Sequence, residues 1–210
     1  MIKRKFASLI LLSTSALFAQ YKMETLSAAP SDVAPAIAGM LDKSGTKIAG
    51  PGGQVYCEIW FRSTPPPAAH NSELSVTWNT IAHGSFIGVI HFPAKAADRR
   101  GQVINPGVYT MRFSYYPANG DHQGVAPQRD FLVLSKVSDD SDPNSTPKFD
   151  DLMVMSRKAS GTPHPLVLSM WKGDSDWQAG FDKMGETDWV LQTTVAGTKI
   201  AVILVGKAEG

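Results

Sequence analysis

The side chains best suited to chemistry are concentrated in two polar segments. Residues 156–165 contain His164 between two prolines, which restrict the backbone and hold the imidazole in a defined place. Residues 120–130 combine carboxylates, an imidazole and flexible glycines. The candidate binding residues of this second segment are Asp121, His122, Arg129 and Asp130. Because loops on a rigid β scaffold commonly carry binding sites, we expect the two segments to line the site of this protein.

A divalent metal is the one cofactor that these residues suggest. If His122 and His164 meet in space beside Asp121 or Asp130, they could ligate Zn, Fe or Mn, since imidazole with carboxylate suits these ions. A His–carboxylate pair could instead serve a hydrolase, with Ser156 or Ser160 as the nucleophile.

A purely structural interpretation of the same side chains stays open. Asp121 would then close a turn through its own backbone, and His164 would bond a carbonyl at a corner. Arg129 and Asp130 would form a structural ion pair. The chain has no G-x-S-x-G, P-loop, G-x-G-x-x-G, H-E-x-x-H or C-x-x-C signature, so no catalytic residue is predicted and the question of enzymatic activity stays open.

A third candidate is the outer face of two strongly alternating strands. Glu58, Trp60 and Arg62 on one strand, with Thr110 and Arg112 on the other, would form a charged and aromatic patch. Such a patch stacks on sugar rings or grips carboxylates. The favoured alternative is structural: Glu58 and Arg112 form a cross-strand ion pair covered by a helix, and Trp60 belongs to the core.

The elements that must position these residues are mainly strands. Alternation with a period of two is strongest at 54–62 and 108–116. Further strands are expected at 74–78, 86–92, 131–137, 165–171, 189–195 and 198–205, and helices at 31–41 and 149–159. Polar loops are expected at 117–129 and 173–185. Because strands follow one another through turns, we predict one antiparallel β-sandwich or jelly-roll-like domain over 31–210 with two short helices, after a flexible arm at 20–30.

The first nineteen residues have the layout of a secretory signal peptide. Lys3, Arg4 and Lys5 precede an apolar run over 6–18, and the small Ala19 marks the expected cleavage point. We therefore predict a secreted or periplasmic protein with no transmembrane segment after signal removal. The single cysteine, Cys57, excludes an intrachain disulfide and is expected to be a buried hydrophobe.

The charge balance argues against nucleic acid as a partner. The whole chain has 20 Lys and Arg against 19 Asp and Glu, and loss of the three basic signal residues leaves 17 against 19, or about −2. A chain this close to neutrality has no general attraction for polyanions.

Several motifs together suggest a family. The runs Gly-Val-Tyr-Thr-Met-Arg at 107–112, Gly-Asp-His at 120–122, Gly-Val-Ala-Pro-Gln-Arg-Asp-Phe at 124–131 and Ser-Arg-Lys-Ala-Ser-Gly-Thr-Pro-His-Pro at 156–165 resemble a group of exported bacterial β-rich proteins with no assigned function. The resemblance implies a bacterial envelope protein and assigns no catalytic residue. We expect a binding or structural module with an unknown envelope ligand or protein as partner. The alternatives are a metal-binding protein or metal-dependent enzyme at His122 and His164, and a carbohydrate-binding module.

Overall fold

The computed structural model describes residues 20–117 and 128–208. Within them the elements follow in the order β1 (Lys22–Leu26), α1 (Pro35–Ala38), β2 (Gly45–Ala49), β3 (Val55–Phe61), β4 (Phe86–Phe92), β5 (Ala96–Ala97), β6 (Val103–Ile104), β7 (Gly107–Tyr115), β8 (Asp130–Lys136), α2 (Phe149–Ser160), β9 (Leu166–Lys172), β10 (Gly180–Met184), β11 (Asp188–Val195) and β12 (Thr198–Val205). The expected signal peptide, Asp121 and His122 lie outside the described residues.

The mostly β, antiparallel fold with two short helices is confirmed. Ten strands form one sheet in the order β1-β2-β3-β4-β7-β8-β9-β12-β11-β10, and β5 pairs only with β6. Strand β9 joins the two halves of this sheet, because residues 166–169 pair with β8 whereas residues 170–172 pair with β12. The sheet is nearly closed into a barrel-like shape. At the seam, the Tyr21 ring lies 5.7 Å from that of Phe181 on β10 and 4.9 Å from that of Trp189 on β11.

The main core lies between the inner faces of the two halves. The period of two predicted for β7 is present, since Tyr109, Met111 and Phe113 point into this core. Residues of β12 reach the same core from the other half: Ile200, Val202 and Leu204. The outer faces are covered as well, so a strand such as β7 is buried on both sides.

The two helices cover separate parts of the outer face. Helix α2 packs its Leu152 and Met153 on Phe131 and Val133 of β8, and it ends at Gly161, whose φ of 69° suits a residue without a side chain. Helix α1 has only four residues, although the sequence predicts 31–41. The segment around it nevertheless buries Ile37 and Leu41 against the outer side of β3 and β4.

Three expectations about the strands need correction. The arm expected over 20–30 contains β1, which pairs along its whole length with β2. The loop expected over 173–185 contains β10, paired with β11. Both are edge strands whose residues are mostly exposed, so they lack the apolar alternation that identifies a strand. Residues 74–78 form turns instead of a strand, and Ser75 has a φ of 64°.

No helix within the described residues is both long enough and apolar enough to cross a membrane.

Candidate functional site

Arg112 is a structural residue whose hydrogen-bonding capacity is taken up by the chain itself. Its guanidinium donates to both carboxylate oxygens of Asp140, at 2.6 and 2.7 Å. It also donates to the carbonyls of Gly84, Asp142 and Ser145. The side chain is fully buried, so it holds residues 140–145 against β7 and cannot reach a ligand.

The five residues of the predicted outer patch therefore do not form one continuous surface. Glu58 pairs with His91 on β4, and Arg112 pairs with Asp140, so the predicted ion pair between Glu58 and Arg112 is wrong. Strand β4 lies between β3 and β7 and separates the two side chains. Trp60 is 2% exposed, which agrees with its expected place in the core. Arg62 and Thr110 are buried too, and Arg62 donates to the carbonyls of Phe86 and Thr64.

Asp130 and Arg129 have separate partners at the start of β8. Arg129 forms its ion pair with Glu73, at 3.0 Å, instead of the structural pair expected with Asp130. The buried Asp130 carboxylate accepts through Oδ2 from the Thr77 hydroxyl and from the backbone N–H groups of Thr77 and Trp78. Its Oδ1 has no hydrogen-bond partner among the residues that the structure describes. Desolvation raises the pKa of Asp130 above its usual value, against the opposing effect of these hydrogen bonds.

His164 lines a cavity of about 720 Å³, which we call the His164 groove. Its lining consists of Arg100, Gly101, Gln102, Val103, Asn105, Ser160, Thr162 and His164. Many of these polar groups satisfy one another. Gln102 donates to the carbonyls of His164 and Pro165 and accepts from the Thr162 hydroxyl, and Arg100 pairs with the buried Asp98. The groove is therefore a hydrogen-bonded corner between β6 and α2.

The structure places His164 and Asp130 at opposite ends of one strand pair. Leu166, two residues after His164, pairs with Leu134 near the end of β8, whereas Asp130 begins that strand. Four residues of strand span about 14 Å. Within the described residues no group of three or more His, Cys, Asp or Glu side chains could hold a metal ion. Because Asp121 and His122 lie outside them, a metal site involving these two residues stays a prediction.

The serines expected as nucleophiles have structural partners. Ser156 Oγ donates to the Leu134 carbonyl and accepts from the Leu166 N–H, which fastens α2 to β8 and β9. Ser160 Oγ donates to the carbonyls of Arg157 and His164. Ser114, which was not among the predicted nucleophiles, does lie beside an imidazole: its Oγ is 2.9 Å from His83 Nε2. Ser114 is fully buried, so this pair satisfies an internal hydroxyl and offers no substrate a nucleophile.

The tryptophans do not form a shared platform for a sugar. Trp60 and Trp78 are 2% and 1% exposed. Trp177 is half-buried, donates its Nε1–H to the Ile200 carbonyl and lies against the Lys199 ammonium.

A second cavity lies where the chain passes over the outer face of β3 and β4. We call residues 26–32, which begin at the last residue of β1, the strap, and the cavity of about 390 Å³ beneath it the strap groove. Its lining consists of Leu26, Ser27, Ala28, Pro30, Ser31, Asp32, Glu58, Trp60, His91 and Val108. On the sheet side, His91 Nδ1 lies 2.8 Å from Glu58 Oε2, and the two side chains are 31% and 24% exposed.

The strand register explains this arrangement. Lys47, Glu58 and His91 are directly opposite one another on β2, β3 and β4 and so share the outer face. In the neighbouring row Gly45 lies opposite Trp60, and its missing side chain makes room for the indole. A Cβ on Gly45 would approach Trp60 Nε1 to 2.4 Å. The flat indole therefore forms the floor beside the Glu58–His91 pair.

Sequence reasoning selected Glu58 but missed His91 and the strap. The alternation of side chains along its strand places His91 on the outer face, and this was the one feature of the sequence that could have identified it as a site residue. Its pairing with Glu58 depends on a register between distant parts of the chain, and the strap depends on β1. Comparison with family models, curated proteins and solved structures finds no match to this chain.

Proposed function

We propose that the protein is a ligand-binding module of the bacterial cell envelope, and that its site is the strap groove. The observation that carries the proposal is the Glu58–His91 pair, which is partly exposed inside a cavity. Within the described residues, Glu58 Oε1 and His91 Nε2 have no side-chain partner, so both remain able to meet a ligand.

The other charged clusters support this choice by contrast. Arg112 and Asp140 are fully engaged with the chain, and the polar lining of the His164 groove is largely engaged with itself. A binding site needs a few convergent polar groups in a mostly apolar concave surface. In the strap groove the convergent polar groups are Glu58 and His91, and Leu26, Pro30 and Val108 are their apolar neighbours in the lining.

A screen of small fragments by ¹H–¹⁵N NMR tests the binding proposal. The fragments should include cationic, neutral and anionic compounds of similar size. We expect saturable shifts at amides around Leu26, Glu58 and His91. Ala28→Trp should abolish them, because Ala28 is exposed and lines the groove, so a large side chain there fills the cavity without entering the core. Absence of any groove-specific shift in the unmodified protein would contradict the proposal.

Export is tested by expressing the whole chain in a bacterium and measuring the mass of the protein in each cell fraction. We expect the protein outside the cytoplasm with a mass that corresponds to loss of residues 1–19. A full-length protein that stays in the cytosol would refute the envelope assignment.

A further inference from the structure

We infer that the strap groove selects ligands that carry an ammonium or guanidinium group. This inference rests on the proposed function, since it names the class of ligand that the same groove would hold.

The charge pattern of the outer face is the first argument. One row across the sheet reads Glu24, Lys47, Glu58, His91 and Val108 on β1, β2, β3, β4 and β7. The Lys47 ammonium lies 2.5 Å from Glu24, on the side away from the groove, and Lys47 does not line the groove. Glu58 is therefore left with an imidazole as its partner.

The strap supplies a second carboxylate. Asp32 lines the groove, and its Oδ1 accepts a hydrogen bond from Ser31 at 3.0 Å. The complete lining has two carboxylates and one imidazole, with no lysine or arginine. A lining with two carboxylates and no lysine or arginine attracts a positive ligand more than a negative one.

The walls strengthen this preference. Leu26, Pro30 and Val108 replace part of the water around Glu58, which is only 24% exposed. A charge–charge attraction is stronger when water is partly excluded. A cavity of about 390 Å³ suits a small molecule or the end of one long side chain and is too small for a large cofactor.

The floor of the groove is closed by Trp60, which contributes to the lining and is 2% exposed. Its Nε1–H lies against Gly45, so that edge of the indole is turned to the neighbouring strand and not to a ligand. The fitting ligand is thus a small organic cation held by the carboxylates of the lining.

The test uses three probes of equal length that differ in their head group: n-butylamine, 1-butanol and butyrate. Each is titrated by ¹H–¹⁵N NMR into the unmodified protein, Glu58→Gln, Ala28→Trp and Glu186→Gln. The last is the matched control, because it makes the same chemical change at an exposed turn far along the chain from the groove.

We expect butylamine to shift the groove amides and the other two probes to do so far less. Glu58→Gln should weaken butylamine binding roughly five- to tenfold, since a hydrogen-bonded charge is removed from a partly exposed site. Glu186→Gln should leave it unchanged, Ala28→Trp should abolish it, and added salt should weaken it.

The outcomes separate the two proposals. If all three probes bind equally and Ala28→Trp abolishes their binding, the groove is a binding site and the cation preference is wrong. If butylamine shifts persist in both Glu58→Gln and Ala28→Trp, the amine binds elsewhere and the inference fails. If no probe shifts the groove amides at tens of millimolar, roughly the affinity range of such small fragments, the binding proposal itself fails.

Discussion

Replacing Asp140 by Asn should be among the most destabilising single changes in this fold. Asn keeps the shape of the side chain but removes the negative charge that faces Arg112. The guanidinium is fully buried and donates two charge-assisted hydrogen bonds to the Asp140 carboxylate, at 2.6 and 2.7 Å. Bonds of that kind contribute about 1.5–3 kcal/mol each. Removing one partner of a buried ion pair costs about 3–5 kcal/mol, which agrees with the summed contribution of the two hydrogen bonds.

Urea unfolding followed by fluorescence measures this loss of free energy. Asp139→Asn is the matched control, because Asp139 pairs with Lys158, whose side chain is 69% exposed. Breaking that surface pair should cost less than about 1 kcal/mol. For a domain of this size the Asp140 change should lower Tm by roughly 6–20 °C. If Asp140→Asn costs no more than Asp139→Asn, the argument that Arg112 depends on a buried counter-charge is refuted.

Three further changes test other parts of the structure. Asp130→Asn should stabilise the protein at pH 7. The pKa of Asp130 is higher in the folded protein than the value of about 3.9 in the unfolded chain. The free energy of unfolding of the wild type therefore falls as the pH rises from about 3.9 through the folded pKa, and Asn avoids this loss. Urea unfolding at pH 4 and pH 7 measures this, and a variant less stable than wild type at pH 7 would contradict it. Gly45→Ala should cost about 1–3 kcal/mol of unfolding free energy, because its Cβ would meet the Trp60 indole at 2.4 Å; an unchanged urea midpoint would show that the indole moves freely. Trp60→Phe leaves a small cavity but also removes a buried N–H that has no acceptor among the described residues. Because the two effects oppose each other, the free energy of unfolding should change by less than about 1 kcal/mol, and a much larger loss in a thermal melt would contradict this balance.

The strands that the sequence predicts well are those with one consistently apolar face. Strand β4 matches its predicted bounds, and β3, β7 and β12 match within a residue at each end. Their inner faces are fixed by burial, and burial leaves a period of two in the sequence. The edge strand β1 lacks this signal, because four of its five residues are exposed. What β1 shares along its whole length with β2 is backbone pairing, which depends little on the side chains and leaves no apolar pattern in the sequence.

The candidate site was harder to predict than the fold for a physical reason. Polar residues in loops are the usual candidates for a site, yet Ser156 and Ser160 use their hydroxyl groups in hydrogen bonds within the chain, because a folded protein satisfies most of the polar groups that it buries. Glu58 and His91 keep hydrogen-bonding atoms without a side-chain partner among the described residues, and both are ordinary outward positions on separate strands.

The contact between Glu58 and His91 depends on the register of β3 against β4, which is set by residues far apart in the sequence. A slip of one residue between β3 and β4 would turn His91 to the inner face and replace it beside Glu58 by an apolar neighbour, either Ile90 or Phe92. The inner faces prevent that slip, since Ile90 and Phe92 are buried in the main core. The core thus determines the chemistry of the opposite face, and the pairing of a carboxylate with an imidazole can be derived only once the packing of that core is known.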